Sequence, residues 1–236
     1  IEDSYLDGWQ RRGKYLIGSL NKKNKNSKGY LVVHLRMTGQ FKLINKEIPP
    51  CSHTRVRFLG ESGKELRFID IRNFGQMWFS SNKKLLTDTV SGIKRLGPEP
   101  FSKDFNSCYL EKYLKNKKRS IKSALLDQAT VAGVGNIYAD ETLFDAGINP
   151  KTESRHLNKD ELNRLCKSLV RILKISIGEG GTTFSDFRDL EGVNGNYGGQ
   201  ALVYRRGGKS CKKCREKIIR EKICGRSTHW CPNCQK

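Results

Sequence analysis

The sequence lacks several features that define whole classes of protein. No long apolar run interrupts its 236 residues, so neither a membrane-spanning helix nor a secretion signal is expected. Acidic residues are scarce: 24 Asp and Glu stand against 45 Lys and Arg, which gives a net charge of +21. Such an excess implies a polyanionic partner, most simply a nucleic acid. An anionic membrane would also attract this charge, but the chain has no basic amphipathic segment to anchor there.

A disulfide framework is also lacking, although the chain has eight cysteines. Four of them form two C-x2-C pairs separated by sixteen residues: Cys211, Cys214, Cys231 and Cys234. This spacing is typical of a site for one zinc ion, which would be structural because the protein supplies all four ligands. Two disulfides or four free thiols are the alternatives. The remaining cysteines are scattered, which favours a reducing cytosol: Cys51, Cys108, Cys166 and Cys224.

The positive charge is concentrated at the C-terminal end. Residues 205–236 contain eleven Lys and Arg but only two Glu. The residues between the cysteine pairs suffice for one β-hairpin, which would bring the two pairs together. Cys224 and His229 lie within that hairpin but are not expected to be ligands. We therefore predict a basic, zinc-bound hairpin over residues 204–236.

The remaining sequence indicates an α+β fold. Residues 1–96 contain short β-rich runs, such as the alternating 54–59 segment, and the turn at 61–64 joins two of them. Residues 21–29 are predicted to form a polar loop at a hairpin tip. Several strands at this spacing suggest a sandwich or a barrel. Gly97-Pro98-Glu99-Pro100 is a stiff break and a natural domain boundary.

Helical patterns follow this break. We predict helices over 104–116 and 120–126, a third helix capped by Asn136, and a fourth that runs from a capping box at Asn158 and Glu161 to about residue 177. Lys122 is included in a basic run between the first helices. Cys166 is expected in the core. The Gly- and Asn-rich residues 178–200 are predicted to form a long loop, which is either disordered or functional.

Several short motifs have the residue types for nucleic-acid contact. Asn136 ends a glycine-rich turn before a helix, where exposed backbone N–H groups favour an anion such as a phosphate. A plain turn with a helix cap is the alternative there. Lys14 follows two arginines at the expected start of a strand. Met37 and Phe74 each lie near a glycine turn at a strand end, where an apolar side chain is either a wedge between bases or part of the core.

Taken together, these motifs resemble the bacterial formamidopyrimidine-DNA glycosylase family. The following motifs occur in the same order as in the family: Q-R-R-G-K-Y-L, H-L-R-M-T-G, D-x-R-x-F-G, L-G-P-E-P, V-A-G-V-G-N-I-Y-A-D-E, G-G-T-T and the terminal cysteine pairs. The resemblance implies an N-terminal β-sandwich over residues 1–96, a helix–two-turns–helix domain over 97–200 and a zinc-finger hairpin over 201–236. It also implies a monomeric, cytoplasmic base-excision repair enzyme that removes oxidised purines, such as 8-oxoguanine, from DNA. Strand cleavage by β,δ-elimination would follow.

The resemblance assigns roles by position. Lys14 would be a proton donor in β-elimination, and Arg226 would act in δ-elimination and contact the lesion phosphate. Three side chains would fill the gap left by the everted nucleotide, namely Met37, Arg72 and Phe74. Four would contact DNA: His53, Arg72, Lys117 and Asn136. A mobile lesion-recognition loop would lie within residues 178–200, around 188–197.

One departure from the family affects the chemistry. The family's nucleophile is an N-terminal proline, which is followed by a catalytic glutamate, whereas this chain begins at Ile1. An internal proline has an amide nitrogen and cannot form the covalent Schiff-base-type intermediate. The expectation is therefore a chain truncated at its beginning. The alternatives are a non-catalytic binder of damaged DNA, an endonuclease VIII-type enzyme for oxidised pyrimidines, and a zinc-ribbon RNA or ribosome binder.

Overall fold

The computed structural model describes residues 4–22, 25–82, 86–184, 190 and 192–236. Two compact units are present: Ile1–Lys94 with Glu179–Gly198, and Arg95–Gly178 with Gly199–Lys236. Sheets dominate the first unit, while the second contains most of the helices and a C-terminal hairpin. The predicted α+β class is therefore confirmed. The division into three domains remains a prediction.

Among its described residues, the first unit contains two antiparallel sheets. One has four strands in the order β1-β2-β3-β7, and the other has three in the order β4-β6-β5. The strand bounds are β1 Ser4–Arg12, β2 Tyr15–Lys22, β3 Lys25–His34, β4 Gln40–Asn45, β5 Thr54–Leu59, β6 Lys64–Ile69 and β7 Gln76–Ser80.

The core of this unit follows from the two-residue period of β3. Leu31 and Val33 point to one side and pack with Phe41 and Phe68 of the other sheet. Val32 points to the opposite side and packs against the short helices α1 (Leu86–Thr89) and α2 (Ser91–Lys94). Because both sheets contribute to one core, the arrangement is the predicted sandwich.

Two expectations for this unit need correction. The polar loop at 21–29 is wrong for most of its length, because β2 runs to Lys22 and β3 begins at Lys25, with Asn21 opposite Lys28. Backbone pairing is sufficient to extend strands through polar residues. Lys14 does not begin a strand but lies in the tight turn between β1 and β2, where Gly13 has φ 56°. Strands β1 and β7 were not predicted individually.

Helices α3 to α6 belong to the second unit. Their bounds are α3 Ser107–Leu114, α4 Ile121–Leu126, α5 Asn136–Ala146 and α6 Lys159–Gly178, with a 3-10 turn at Ser154–His156 and a short helix α7 at Tyr197–Gln200. Leu110, Leu125, Leu143 and Leu165 lie in one buried cluster. Cys166 packs against this cluster, as expected, and burial raises the pKa of its thiol to about 12. Within the described residues, no helix is both long and apolar enough to cross a bilayer.

The helix caps test the sequence patterns directly. The predicted capping box is confirmed, because the Glu161 backbone N–H donates to Asn158 Oδ1 at 2.9 Å and the Asn158 N–H donates to Glu161 Oε2 at 2.8 Å. The predicted cap at Asn136 is wrong. Gly135 is the N-cap of α5 and Asn136 is the first helical residue, so its side chain is directed elsewhere.

The C-terminal hairpin forms as predicted. Strands β8 (Ile219–Ile223) and β9 (Arg226–Trp230) pair antiparallel, with Ile223 opposite Arg226. Cys224 and Gly225 form the two-residue turn between them, with φ values of 48° and 75°. Positive φ at both positions is the geometry that suits the twist of a tight hairpin. Cys224 is therefore a turn residue at the tip.

Candidate nucleic-acid interface and metal centre

An exposed cluster of Met37, Arg72 and Phe74 stands on two turns of the first unit. Met37 lies between β3 and β4, whereas Arg72 and Phe74 lie between β6 and β7. Arg72 Nη1 donates to the Met37 sulfur at 3.1 Å, and the Arg72 guanidinium carbon is 5.0 Å from the centre of the Phe74 ring. Met37 is 66% exposed and Phe74 is 52% exposed. We call these three residues the wedge cluster; they form a compact protrusion that is apolar at two of its three positions.

Beneath the wedge cluster lies the buried carboxylate of Asp70, which is 1% exposed. Asp70 Oδ1 accepts a hydrogen bond from the Thr38 hydroxyl, and Oδ2 accepts one from the Gly75 N–H at 2.7 Å. The Thr38 oxygen in turn accepts the Arg72 N–H at 3.0 Å. Burial alone would raise the pKa of Asp70, but these hydrogen bonds outweigh it and the pKa is lowered. The ionised carboxylate therefore joins both turns.

Phe68 forms the floor of the same region, and two glycines give it room. A Cβ on Gly39 would lie 2.4 Å from the Leu35 carbonyl oxygen, and one on Gly75 would lie 2.4 Å from the Phe68 ring. The glycines of both motifs are thus explained by close packing. Their turns are held from below by a buried aromatic ring.

Lys14, His34 and Arg36 form a second polar group in the first unit. The Arg36 backbone N–H donates to His34 Nδ1 at 3.1 Å, and Arg36 Nη2 donates to Gln76 Oε1 at 2.8 Å. Burial, followed by the charges of Arg36 and Lys14, lowers the pKa of His34 to about 4. His34 is therefore neutral at pH 7. Because Nδ1 accepts a hydrogen bond, Nε2 carries the proton and is a hydrogen-bond donor.

His53 lies in the turn before β5, and its backbone is hydrogen-bonded to Asp70, the buried residue beneath the wedge cluster. Its carbonyl accepts the Asp70 N–H at 3.0 Å, and the Asp70 carbonyl accepts from Arg55 Nε at 2.9 Å. The turn that bears His53 is therefore tied to the same residue that joins the two wedge turns.

In the second unit, Asn136 bonds to the C-terminal hairpin. Its Nδ2 donates to the Ser227 carbonyl at 2.9 Å, one residue after the exposed Arg226 at the hairpin tip. The preceding loop is rigid, because Gly133 (φ 87°) donates its N–H to Gln128 and Val134 is fully buried. Lys117 is exposed, and its ammonium group is 5.3 Å from the centre of the Tyr113 ring.

Lys122 is buried rather than exposed with its basic neighbours. It is 0% exposed, and its ammonium group donates to Asp140 Oδ1 at 2.6 Å, Thr228 Oγ1 at 2.8 Å and the Ser227 carbonyl at 3.0 Å. Asp140 Oδ2 accepts the His229 backbone N–H at 2.9 Å. Helices α4 and α5 therefore hold strand β9 through a buried ion pair, close to Arg226.

A second carboxylate of α5 holds the segment that leads into the hairpin. Glu141 is fully buried and accepts three backbone N–H groups at 2.8 to 2.9 Å, from Leu202, Val203 and Tyr204. At the other end of the hairpin, Gln235 Nε2 donates to the Ile148 carbonyl at 2.9 Å. The hairpin is thus attached to the helices at its beginning, at β9 and at its end.

The four terminal cysteines converge on one point. Their sulfur atoms all lie within 4.8 Å of one another, with Cys211 and Cys234 3.9 Å apart and Cys214 and Cys231 3.4 Å apart. A tetrahedral Zn²⁺ with bonds of about 2.3 Å needs sulfur separations of about 3.8 Å. Hydrogen bonds from Asn233 and Glu216 lower the pKa of the Cys214 thiol, whereas burial raises the pKa of Cys231 and Cys234. The geometry and the donor type therefore fit a four-thiolate metal ion, and neither Cys224 nor His229 is part of the group.

Comparison with known proteins connects these features to one family. Two family models match the chain: the formamidopyrimidine-DNA glycosylase N-terminal domain over residues 1–77 and the formamidopyrimidine-DNA glycosylase H2TH domain over residues 96–188. A formamidopyrimidine-DNA glycosylase of Prochlorococcus marinus (strain NATL1A) is 78% identical over 236 residues, which are 100% of this chain and 84% of that relative. The chain belongs to the formamidopyrimidine-DNA glycosylase family.

Solved structures of the family have the same fold. Lactococcus lactis Fpg in complex with DNA containing an abasic site is 33% identical with a TM-score of 0.89, covering 99% of this chain and 83% of that one. Fpg (MutM) from Thermus thermophilus is 37% identical with a TM-score of 0.87, covering 98% and 83%. The resemblance drawn from the motifs is confirmed, and the chain is a member of an enzyme family of base-excision repair DNA glycosylases.

The structure brings some predicted site residues together. Met37, Arg72 and Phe74 meet in the wedge cluster, and the four cysteines meet in a group that could hold a metal ion. Asn136 is hydrogen-bonded to Ser227, the residue that follows Arg226 in the chain. Part of the predicted lesion-recognition loop, including Arg188, falls on residues 185–189 and 191, which lie outside the described residues.

Sequence reasoning missed the buried charges. The basic run predicted between the first helices includes Lys122 without indicating that its side chain is buried, and the motifs contain Asp70, Asp140 and Glu141 without indicating that they are buried. A signal was present for Lys122, because the adjacent Ile121, Ala124 and Leu125 mark that turn of helix as core. An acidic pair within the apolar helix α5 was the complementary signal for its partner.

Proposed function

We propose that this protein excises oxidised purines from double-stranded DNA and then cleaves the strand at the abasic site by β,δ-elimination. Family membership supports the glycosylase step. DNA complexes of relatives support the substrate class, since a mutant of Lactococcus lactis Fpg has been solved with DNA containing Fapy-dG, and Lactococcus lactis Fpg with DNA containing an abasic site. The wedge cluster is the single observation in this chain that carries the proposal.

The wedge cluster has the properties that base eversion demands. An enzyme that acts on a base within a duplex must turn it out of the stack, which costs a few kcal/mol, and the vacated space must be refilled. Exposed apolar side chains on short, supported turns are suited to insertion between bases. Met37 and Phe74 would fill the space, while the Arg72 guanidinium provides a planar cation for the unpaired base opposite.

Phosphate contacts complete the proposed interface. His53 in the first unit, and Lys117 and Asn136 in the second, would bind the DNA backbone, with α5 directing its N-terminal N–H groups at a phosphate. Lys14 would donate a proton in β-elimination. Arg226 would act at the lesion phosphate in δ-elimination. The neutral Nε2–H of His34 beside Lys14 supplies a further donor for an anionic oxygen.

We infer further that Cys211, Cys214, Cys231 and Cys234 hold one structural Zn²⁺. When bound, the ion would cross-link the two ends of the hairpin, so that β8 and β9 keep Arg226 at the tip. All four positions would be taken by sulfur, so no position is left for a water or a substrate.

The covalent step that the resemblance implies uses an N-terminal proline as its nucleophile. The secondary amine of an N-terminal proline attacks C1′ of the deoxyribose in the mechanism that the resemblance implies, and the base leaves as the iminium forms. Neither that proline nor its neighbouring glutamate is among residues 1–236. The test therefore uses two proteins: the 236-residue chain, and the same chain preceded by whatever residues are encoded in frame upstream of Ile1.

The extended protein is incubated with a duplex that contains one 8-oxoguanine. We expect excision, a β,δ-elimination product and a borohydride-trapped covalent adduct. The 236-residue chain is expected to prefer a duplex with an abasic-site analogue over an undamaged duplex, without cleaving either. If the extended protein gives neither product nor adduct, while the shorter chain still prefers damaged DNA, the protein is a non-catalytic binder and the proposal fails. Cleavage of oxidised pyrimidines alone would likewise contradict the purine assignment.

The wedge itself is tested with Phe74→Ala and Met37→Ala. Stacking of one base on an aromatic ring contributes about 1–3 kcal/mol, so Phe74→Ala should weaken binding to abasic-site DNA roughly 5- to 150-fold. Binding to undamaged DNA, which depends mainly on phosphate contacts, should change little. Ile71→Ala is the matched control, because Ile71 is an exposed apolar residue of the same turn that lies outside the wedge cluster.

A further inference from the structure

We propose that Asp70 is a positioning residue that sets the wedge cluster in its DNA-inserting geometry by joining three separate turns through one buried carboxyl group and its own peptide unit. This inference rests on the proposed function, because it gives Asp70 a role only if Met37, Arg72 and Phe74 enter the DNA. Asp70 itself is buried and would touch neither the DNA nor the reacting atoms.

The hydrogen bonds of Asp70 reach every turn that bears the wedge. Its carboxylate accepts from Thr38, next to Met37, and from Gly75, next to Phe74. Its backbone N–H donates to the carbonyl of His53, at 3.0 Å. One residue therefore fixes the turn after β3, the turn after β6 and the turn before β5 relative to one another.

Thr38 extends this connection to Arg72. The Thr38 hydroxyl donates to Asp70 and simultaneously accepts the Arg72 N–H at 3.0 Å. The hydroxyl thus donates one hydrogen bond to the carboxylate and accepts another from the Arg72 N–H, and the carboxylate fixes the orientation of the hydroxyl. If Asp70 no longer accepted this proton, the hydroxyl would be free to rotate, and the backbone of Arg72 would lose its defined partner.

The wedge needs such support because its own contacts are weak and exposed. The Arg72 contacts with the Met37 sulfur and the Phe74 ring lie at the surface, where competition with water reduces their value. The turns also contain residues in the left-handed region, Arg36 and Asn73, both with φ 56°. Such conformations persist where surrounding structure determines them. The buried carboxylate provides that determination.

A carboxylate is required because several donors face it from the protein. Gly75 N–H and the Thr38 hydroxyl approach different oxygens, and backbone N–H groups of Arg72 and Asn73 also stabilise the charged form. An Asn side chain has the same shape but replaces one acceptor oxygen with an NH₂ donor. Asp70→Asn therefore removes the ionised acceptor and reverses or breaks the hydrogen bond to one of the two wedge turns, while leaving the volume of the core unchanged.

The test measures affinity for two duplexes, one with an abasic-site analogue and one undamaged, with 2-aminopurine placed opposite the analogue to report insertion by its fluorescence. We expect Asp70→Asn to lower the preference for the abasic-site duplex about tenfold and to reduce the fluorescence change, with little effect on undamaged DNA. Asp88→Asn, which changes an exposed acid on α1, is the matched control and should leave both unchanged.

Two variants of Thr38 keep the proposal testable if Asp70→Asn does not fold. Thr38→Ser retains the hydroxyl and should retain the preference, whereas Thr38→Val removes the hydroxyl at nearly the same volume and should reproduce the loss. A loss of general stability alone would lower both affinities together and leave the ratio unchanged. Equal ratios for the Ser and Val variants would overturn the proposal.

Met37→Ala separates this inference from the proposed function. If Met37→Ala leaves the preference intact, the wedge does not insert and the proposed function is at fault. If Met37→Ala lowers the preference but neither Asp70→Asn nor Thr38→Val does so, the wedge inserts without the help of Asp70. Only the positioning role is then refuted.

Discussion

Replacement of Lys122 by Met is expected to destabilise the helical unit severely. Lys122 and Asp140 are both 0% exposed at their side chains, and their charged atoms are 2.6 Å apart. All three ammonium protons have acceptors in α5 and β9. Met matches the length of the Lys stem, so the substitution removes the charge and the hydrogen bonds while retaining most of the packing.

The expected loss in the free energy of unfolding follows from the buried Asp140 charge that remains after the substitution. Asp140 would keep a buried negative charge, with the His229 backbone N–H at 2.9 Å and the His229 ring Nδ1 at 3.2 Å as the partners described for it. Removing one partner of a buried ion pair typically costs about 3–5 kcal/mol, because the other charge is left uncompensated. This is a large share of the roughly 5–15 kcal/mol that stabilises a typical domain. Burial also lowers the pKa of Lys122, against the opposing effect of Asp140, so desolvation is a real cost in the native pair.

The assay is urea denaturation at pH 7, followed by tryptophan fluorescence, since Trp230 is buried in the hairpin. Arg155→Met is the control, because Arg155 and Glu153 form a pair in which both side chains are more than a third exposed. Exposed pairs contribute about 0–1 kcal/mol, so this control should lose less than that. The metal content of each protein is measured in parallel, to show that any loss is independent of the metal centre.

A double variant decides whether the ion pair is the cause. Lys122→Met combined with Asp140→Leu removes both charges, and it should recover part of the stability lost in the single variant. A loss below about 1 kcal/mol for Lys122→Met alone would refute the reasoning, because a buried carboxylate without its cation cannot be so well tolerated. Full additivity of the two single losses would show that the residues act separately.

Three further outcomes are expected. His34 has a folded pKa of about 4 against 6.5 unfolded, so stability should fall by on the order of 1 kcal/mol between pH 6.5 and 4, and His34→Gln should abolish that dependence in acid titrations of unfolding. Cys211→Ser or chelation should remove the metal and loosen the hairpin, measured by metal analysis and hydrogen exchange at β8 and β9. Arg226→Ala should keep the metal but weaken DNA binding and δ-elimination in the extended protein; unchanged cleavage products would contradict its role.

The family, the fold class and the four-cysteine group can be predicted from local sequence patterns and motif order. The spacing of the cysteine pairs, the alternation of 54–59 and the capping box at Asn158 are local patterns, and local backbone and ligand geometry is sufficient to interpret them. The motif order supplied the remainder, since it specified a family before any contact was known. Element ends were less certain, as the extension of β2 and β3 through polar residues shows.

Which charges are buried, and which segments they hold together, depends on contacts between distant parts of the chain. Lys122 and the exposed Lys117 belong to the same basic run, yet their environments differ because Asp140 and Thr228 are distant in sequence and close in space. Asn136 has the residue type of a cap, but the Ser227 carbonyl is its partner. Such pairings depend on how helices and strands pack, and no local pattern records them.

The same limit applies to the wedge cluster. Met37 and Phe74 were each compatible with a core position when considered alone, because exposure depends on the sheet register and on the turns that follow it. In the structure both side chains are exposed and lie around Arg72, above the buried carboxylate of Asp70. The D-x-R-x-F-G motif contains Asp70 but does not indicate its contacts. The sequence determined that these residues occur together in a family pattern; the fold decided that they form one supported protrusion.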